Sequence, residues 1–283
     1  MKKALLIFSG LIALAIISWS CSQNVFTGRK TLTFIPEAEL NSMSLQEYNT
    51  FLTQNKTIHS GSQVQTIQRI GNDLKASIEV YYKANNDSKD LSNYKWEFNL
   101  VDDPKTVNAF CMPGGKVVVY SGLLPITQND DALAMVMGHE IAHALSGHGN
   151  ERMSQGLITQ LGLQAVDLSL AMAQKPAATR QLFQSALGYG AQLGVTLPFS
   201  RKDEAEADEI GTYLAAMAGY NVNEGIALWQ RMGALGGGSR PPEFLSTHPD
   251  PANRAIAIKN LIPKAMEYKA KYPVPLSSRY RRQ

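Results

Sequence analysis

The chain has 283 residues, 44% hydrophobic and 18% charged, a globular balance that excludes a disordered or fibrous polypeptide and suffices for one large domain or two small ones. Its formal net charge is +3, but the first twenty residues hold Lys2 and Lys3 and no acid; without them 25 basic residues face 24 acidic ones, or +1. So slight an excess argues against a nucleic-acid partner, and Arg279, Arg281 and Arg282 read as a solvated terminus.

Residues 1–20 read as an export signal. Lys2 and Lys3 precede a run from Ala4 to Ile17, apolar except for Ser9 and Gly10 and too short for a comfortable membrane span. Ser18-Trp19-Ser20-Cys21 follows and resembles a bacterial lipobox, with Ser18 standing where an aliphatic residue is usual. The resemblance implies lipidation at Cys21 and a membrane partner reached through that anchor, each buried CH₂ contributing about 0.8 kcal/mol. Ser22 suits sorting to an outer membrane, facing the periplasm. With Cys21 lipidated, Cys111 has no intrachain partner and reads as a small buried hydrophobe.

Residues 22–36 read as a tether over the surface, so that 21–58 comprise tether and first helix and 59–283 the main domain. Glu37 to Gln54 and Gln63 to Lys83 have helical spacing, the second with Val64, Ile67, Ile70, Leu74 and Ile78 in one stripe. Asn85-Asn86-Asp87 ends it. Trp96, Phe98 and Leu100 alternate with polar residues and predict a half-buried strand. Thr106 to Met112 and Lys116 to Tyr120 are further strands, joined at Pro113-Gly114-Gly115. Helices are expected over Asp130 to Ser146, in pieces between Glu151 and Leu197, and over Arg201 to Ala218, Asn223 to Met232 and Pro251 to Tyr268. Gln160, Gln164 and Asp167 interrupt the apolar stretch 156–173, which reads as a soluble helix. Gly236-Gly237-Gly238-Ser239 is a flexible loop. The fold class is α+β, mainly helical with a small antiparallel sheet.

His139-Glu140-Ile141-Ala142-His143 is H-E-x-x-H. Four residues make about one helical turn, so both imidazoles leave the same face and can bind one metal, while Glu140 can activate water without being a ligand. Asp130 or Asp131 is expected to cap this helix. A catalytic zinc needs a third protein ligand and an open position. A ligand at the H-E-x-x-H-x-x-G-x-x-H spacing is excluded by Ser146 and Gly149, and His148 reads as a helix-end or loop residue. A second helix supplies the alternative: Glu204 and Asp208 share a face one turn apart, with Glu206 pointing elsewhere. Glu204 would complete the set, and Asp208 would accept the N–H of a ligating imidazole.

The H-E-x-x-H motif, followed some sixty residues later by Ser200-Arg201-x-x-Glu204-x-x-Ala207-Asp208, resembles the HtpX and CAAX-prenyl-protease group of zinc endopeptidases. Asn108-Ala109-Phe110 with Pro113 to Val119 is similar to the group's edge strand, which pairs with extended substrate by β-addition and faces the cleft. Thr247-His248-Pro249, with Arg254 six residues beyond His248, matches its C-terminal cluster. The resemblance implies one zinc per chain on His139, His143 and Glu204, Glu140 as base, His248 near the metal and Arg254 near the oxyanion. It also makes 59–283 a zinc peptidase domain acting on unfolded or extended polypeptide, most like single-domain periplasmic lipoproteins of the LoiP type. Membrane helices around the second motif and a C-terminal helical-repeat domain, found in other members, are not expected. Two other readings remain at this point: a zinc-stabilised scaffold or chaperone that cleaves nothing, and an exopeptidase.

Overall fold

The computed structural model describes residues 21–85, 91–161, 199–235, 242–248 and 251–274. The export signal, the Asn86-Asp87 break, the pieces beyond residue 161, the Gly236–Ser239 run, Pro249 and the terminal arginines lie outside them. So does most of the stretch 156–173. Among the described residues no helix is long and apolar enough to cross a membrane.

The predicted tether is a docked hairpin. Strands β1 (Cys21–Gln23) and β2 (Lys30–Leu32) pair antiparallel. Between them Phe26 is buried, stacked on Tyr81 at 3.9 Å between centroids. Helix α1 (Glu37–Gln54) follows, then β3 (Thr57–Ile58) and α2 (Ser62–Ala84). The apolar stripe of α2 is the reason for its docking: Ile67, Ile70, Leu74 and Ile78 have no exposed surface. Each such side chain contributes roughly 1.5–3 kcal/mol on burial.

Strands β4 (Glu97–Val101), β5 (Ala109–Met112) and β6 (Lys116–Tyr120) complete a sheet ordered β3-β4-β6-β5. The sheet is mixed, not antiparallel as expected: β4 and β6 run parallel, with Glu97 opposite Lys116 and Val101 opposite Tyr120. The chain leaves β4, skips one position to form the edge strand β5, and turns back as β6 into the gap. Strand patterns alone do not distinguish this order from a meander, in which sequential strands are neighbours. Leu100, Ala109, Cys111, Val117 and Val119 face the main core with α2. Val101, Phe110, Met112, Val118 and Tyr120 face Leu40, Tyr48 and Phe51 of α1. Helix α1 is thus a layer on the sheet.

A short helix α3 (Leu124–Thr127) leads to α4 (Asp130–Leu145). Asn129 caps α4, accepting from Ala132 N at 2.8 Å. The expected caps Asp130 and Asp131 instead occupy its first turn, where they favour the helix dipole. Gly147, at φ +69°, turns the chain into α5 (His148–Leu161). Ser200 and Asp203 form a capping box that starts α6 (Arg201–Met217). Helices α4 and α6 meet backbone to backbone: a Cβ on Gly211 would lie 2.7 Å from His139 N, and one on Gly138 2.9 Å from Gly211 O. That approach sets the two sequence motifs against each other. Helices α7 (Glu224–Leu235), α8 (Glu243–Thr247) and α9 (Pro251–Lys271) close the domain.

Candidate metal centre and active site

His139, Glu140 and His143 lie on the last turns of α4, all buried. The Nε2 atoms of His139 and His143 are 3.0 Å apart. Across from them, Glu204 of α6 places Oε1 3.5 Å from His143 Nε2 and Oε2 3.6 Å from His139 Nε2. His248, just after α8, puts Nδ1 2.8 Å from Glu204 Oε1 and 3.2 Å from His139 Nε2. One donor atom from each of these four residues lies within 4.8 Å of the others. Three imidazoles and a carboxylate, converging in a buried recess, fit a zinc ion in donor chemistry.

The electrostatics agree. Burial, helped by Arg254, holds the His139 ring well below its usual pKa, and burial with His139 does the same to His143. Both rings are therefore neutral, the state a metal ligand needs. Burial pushes Glu204 up, but His248 and Arg254 outweigh it and hold the carboxyl well below its usual range. Glu140 is raised to about 7, chiefly by burial. Its Oε1 is buried without a hydrogen-bond partner, 3.5 Å from His248 Nε2. A carboxylate left bare in this way beside a metal recess can take a proton from water.

Asp208 Oδ1 stands 3.1 Å from His139 Nδ1, the contact expected of it. Arg254 of α9 is buried, with its Nε 2.8 Å from Asp208 Oδ2 and its Nη1 2.6 Å from Glu204 Oε2. Its guanidinium lies over the Trp229 ring, 3.5 Å from the centroid. Burial pulls the Arg254 pKa down, and Asp208 and Glu204 more than restore it. Asn108 and Ala109 sit at the head of β5, the edge strand, each 1% exposed. Phe244 N donates to Val107 O at 3.2 Å, so α8 lies against the approach to that edge.

Residues 71–262 match the model of peptidase family M48. The chain belongs to that family. M48 enzymes are zinc metallopeptidases, and the cluster of His139, His143, Glu204 and His248 is one that could hold such a metal. The chain is 38% identical over 180 residues to the mitochondrial metalloendopeptidase OMA1 of Schizosaccharomyces pombe, covering 62% of this chain and 49% of that protein. Against the human mitochondrial metalloendopeptidase OMA1 the identity is 32%, covering 85% of this chain and 46% of the relative. The beta-barrel assembly-enhancing protease of Yersinia pestis is 32% identical, covering 58% and 34%. The chain spans about half the length of the OMA1 proteins it matches.

Sequence reasoning missed several parts of this M48 site. Phe199 stacks on the His143 ring at 3.9 Å and Phe244 on His248 at 4.5 Å, and together they fix both imidazoles. His148 is outside the four-residue cluster, yet it is fully buried with Nδ1 2.8 Å from His143 Nδ1. Its five-residue spacing from His143 was the only available signal.

Proposed function

We propose that this M48 chain is an endopeptidase that cuts unfolded or misfolded protein at a bacterial envelope, with zinc on His139, His143 and Glu204. The convergence of those donor atoms beside the bare Glu140 oxygen carries the reading. When bound, zinc supplies a Lewis acid that polarises the scissile carbonyl and acidifies water. Asp208 Oδ1 at 3.1 Å and Arg254 Nη2 at 2.9 Å both reach His139 Nδ1 and together orient that ring. Glu140 takes a proton from the attacking water and returns it to the leaving amine. Extended substrate pairs at Asn108 and Ala109 on the edge strand, and the peptide's own backbone supplies the partners. No observation favours a non-proteolytic scaffold. The purified full-length chain should hold about one zinc and digest casein; a chelator should remove both, and zinc should restore them. Full digestion by metal-free protein would sink the proposal.

His248 acts as a gate in this reading. It sits among the metal-site donor atoms, and helix α8 just before it is bonded through Phe244 to Val107, ahead of the edge strand. Its withdrawal would open the metal and the substrate edge together, while Arg254, tied to Glu204 and Asp208, stays in place. His248→Ala should keep zinc and raise basal casein cleavage several-fold. Unchanged activity would remove the gate, and lower activity would remove it and make His248 a transition-state donor.

The envelope setting rests on the lipobox-like Ser18–Cys21 segment. The proposed type is a lipoprotein anchored at Cys21 in the outer membrane, facing the periplasm, as in the LoiP subgroup. Cys21→Ser, expressed in a bacterium, should move the protein from the membrane pellet to the soluble fraction. Retention in the pellet after a high-salt wash would overturn the anchor.

A further inference from the structure

Glu206 lies two residues beyond Glu204, so it leaves α6 on roughly the opposite side. There its buried carboxylate is ringed by donors. His148 Nε2 is 2.9 Å from Oε2, the Arg29 guanidinium donates to the same oxygen, and the Thr27 hydroxyl donates to Oε1. His148 turns its other nitrogen to His143 Nδ1 at 2.8 Å. His143 in turn directs Nε2 at His139 and Glu204.

These contacts admit one order of protons with both rings neutral. A carboxylate held by an arginine is an acceptor only, so the proton of His148 sits on Nε2. Neutral His148 then presents a lone pair at Nδ1, which requires a proton on His143 Nδ1. That leaves His143 Nε2 as a bare lone pair aimed into the metal recess, the form a ligand must take. The far end of the chain is the β1–β2 hairpin, which lies outside the residues matched by the family model.

We propose that Arg29, Thr27, Glu206 and His148 form a proton-ordered relay that fixes the tautomer and ring angle of His143 and so makes zinc affinity depend on the N-terminal hairpin. The proposal rests on His143 being a zinc ligand. The members are positioning residues, since none reaches the metal recess itself. Arg29 also binds Glu151 at 3.0 Å and Asp203 at 3.2 Å. Asp203 Oδ1 also lies 3.8 Å from His148 Nε2, whereas the Glu151 bond holds the hairpin without touching His148 or Glu206 and so separates docking from metal tuning.

The test measures zinc dissociation constants of the full-length chain by chelator competition, and the absorption spectrum of the Co²⁺-substituted protein. His148→Phe keeps a ring and removes both nitrogens; Glu206→Leu removes the acceptor. Each should weaken zinc binding by about 10–100-fold, the usual effect of losing a group that orients a ligand. Each should also shift the Co²⁺ bands, and with zinc saturating should lower kcat more than it changes KM. Glu151→Gln, which touches Arg29 but no relay bond, should keep the wild-type constant and spectrum. If His148→Phe does not fold, Glu206→Leu against Glu151→Gln decides alone. Wild-type zinc affinity and spectrum in the relay variants, or equal weakening in Glu151→Gln, overturns the relay. Glu204→Ala separates the two levels: stoichiometric zinc there would overturn the ligand reading instead.

Discussion

Glu140→Gln should leave the chain folded and zinc-loaded while lowering casein hydrolysis on the order of 10²–10⁴-fold, the usual contribution of a general base. The substitution preserves shape and leaves His139, His143 and Glu204 untouched. It removes only the oxygen that can accept water's proton. Stability should not suffer. Burial raises the Glu140 pKa to about 7, so in the metal-free protein its ionised form opposes folding increasingly as pH rises above the unfolded value. A neutral amide escapes that cost, and the metal-free variant should melt no lower than wild type at neutral pH. Zinc analysis and a casein digest, run in parallel, make the check. Undiminished cleavage would mean another group activates the water, and loss of zinc along with activity would make Glu140 a ligand.

The site's centre was legible because its parts are helical neighbours. His139 and His143 are one turn apart, as are Glu204 and Asp208, so a period of 3.6 residues places each pair on one face without knowledge of the fold. The α2 stripe was legible for the same reason. What periodicity does not carry is the partner of a face. Glu206 was rightly read as pointing away from Glu204, but its partner is a histidine on another helix and an arginine 177 positions earlier. The parallel β4–β6 pairing failed similarly, since strand order depends on how α1 and α2 cover the two faces of the sheet. Residues 22–36 looked like a tether because Thr27, Gly28, Arg29 and Lys30 are polar. Burial of Phe26 and the carboxylates around Arg29 convert them into structure.

Arg254 separates a reading of sequence from a reading of structure. The motif resemblance puts it at the oxyanion, where its loss would lower kcat and nothing else. In the structure its guanidinium is enclosed by Asp208, Glu204 and the Trp229 ring. Arg254→Met keeps the stem on Trp229 and leaves two buried carboxylates without their cation. Removing one partner of a buried ion pair costs about 3–5 kcal/mol, because the remaining charge stays desolvated. Urea unfolding of the metal-free variant should register a loss of that size. Zinc neutralises Glu204 in its own right, so the deficit should shrink when metal is restored, and zinc binding should weaken because Glu204 is no longer held. Adding Asp208→Asn should recover part of the metal-free loss, the coupling expected of residues in contact. An Arg254→Met chain with wild-type stability and zinc affinity but a depressed kcat would return Arg254 to the transition state.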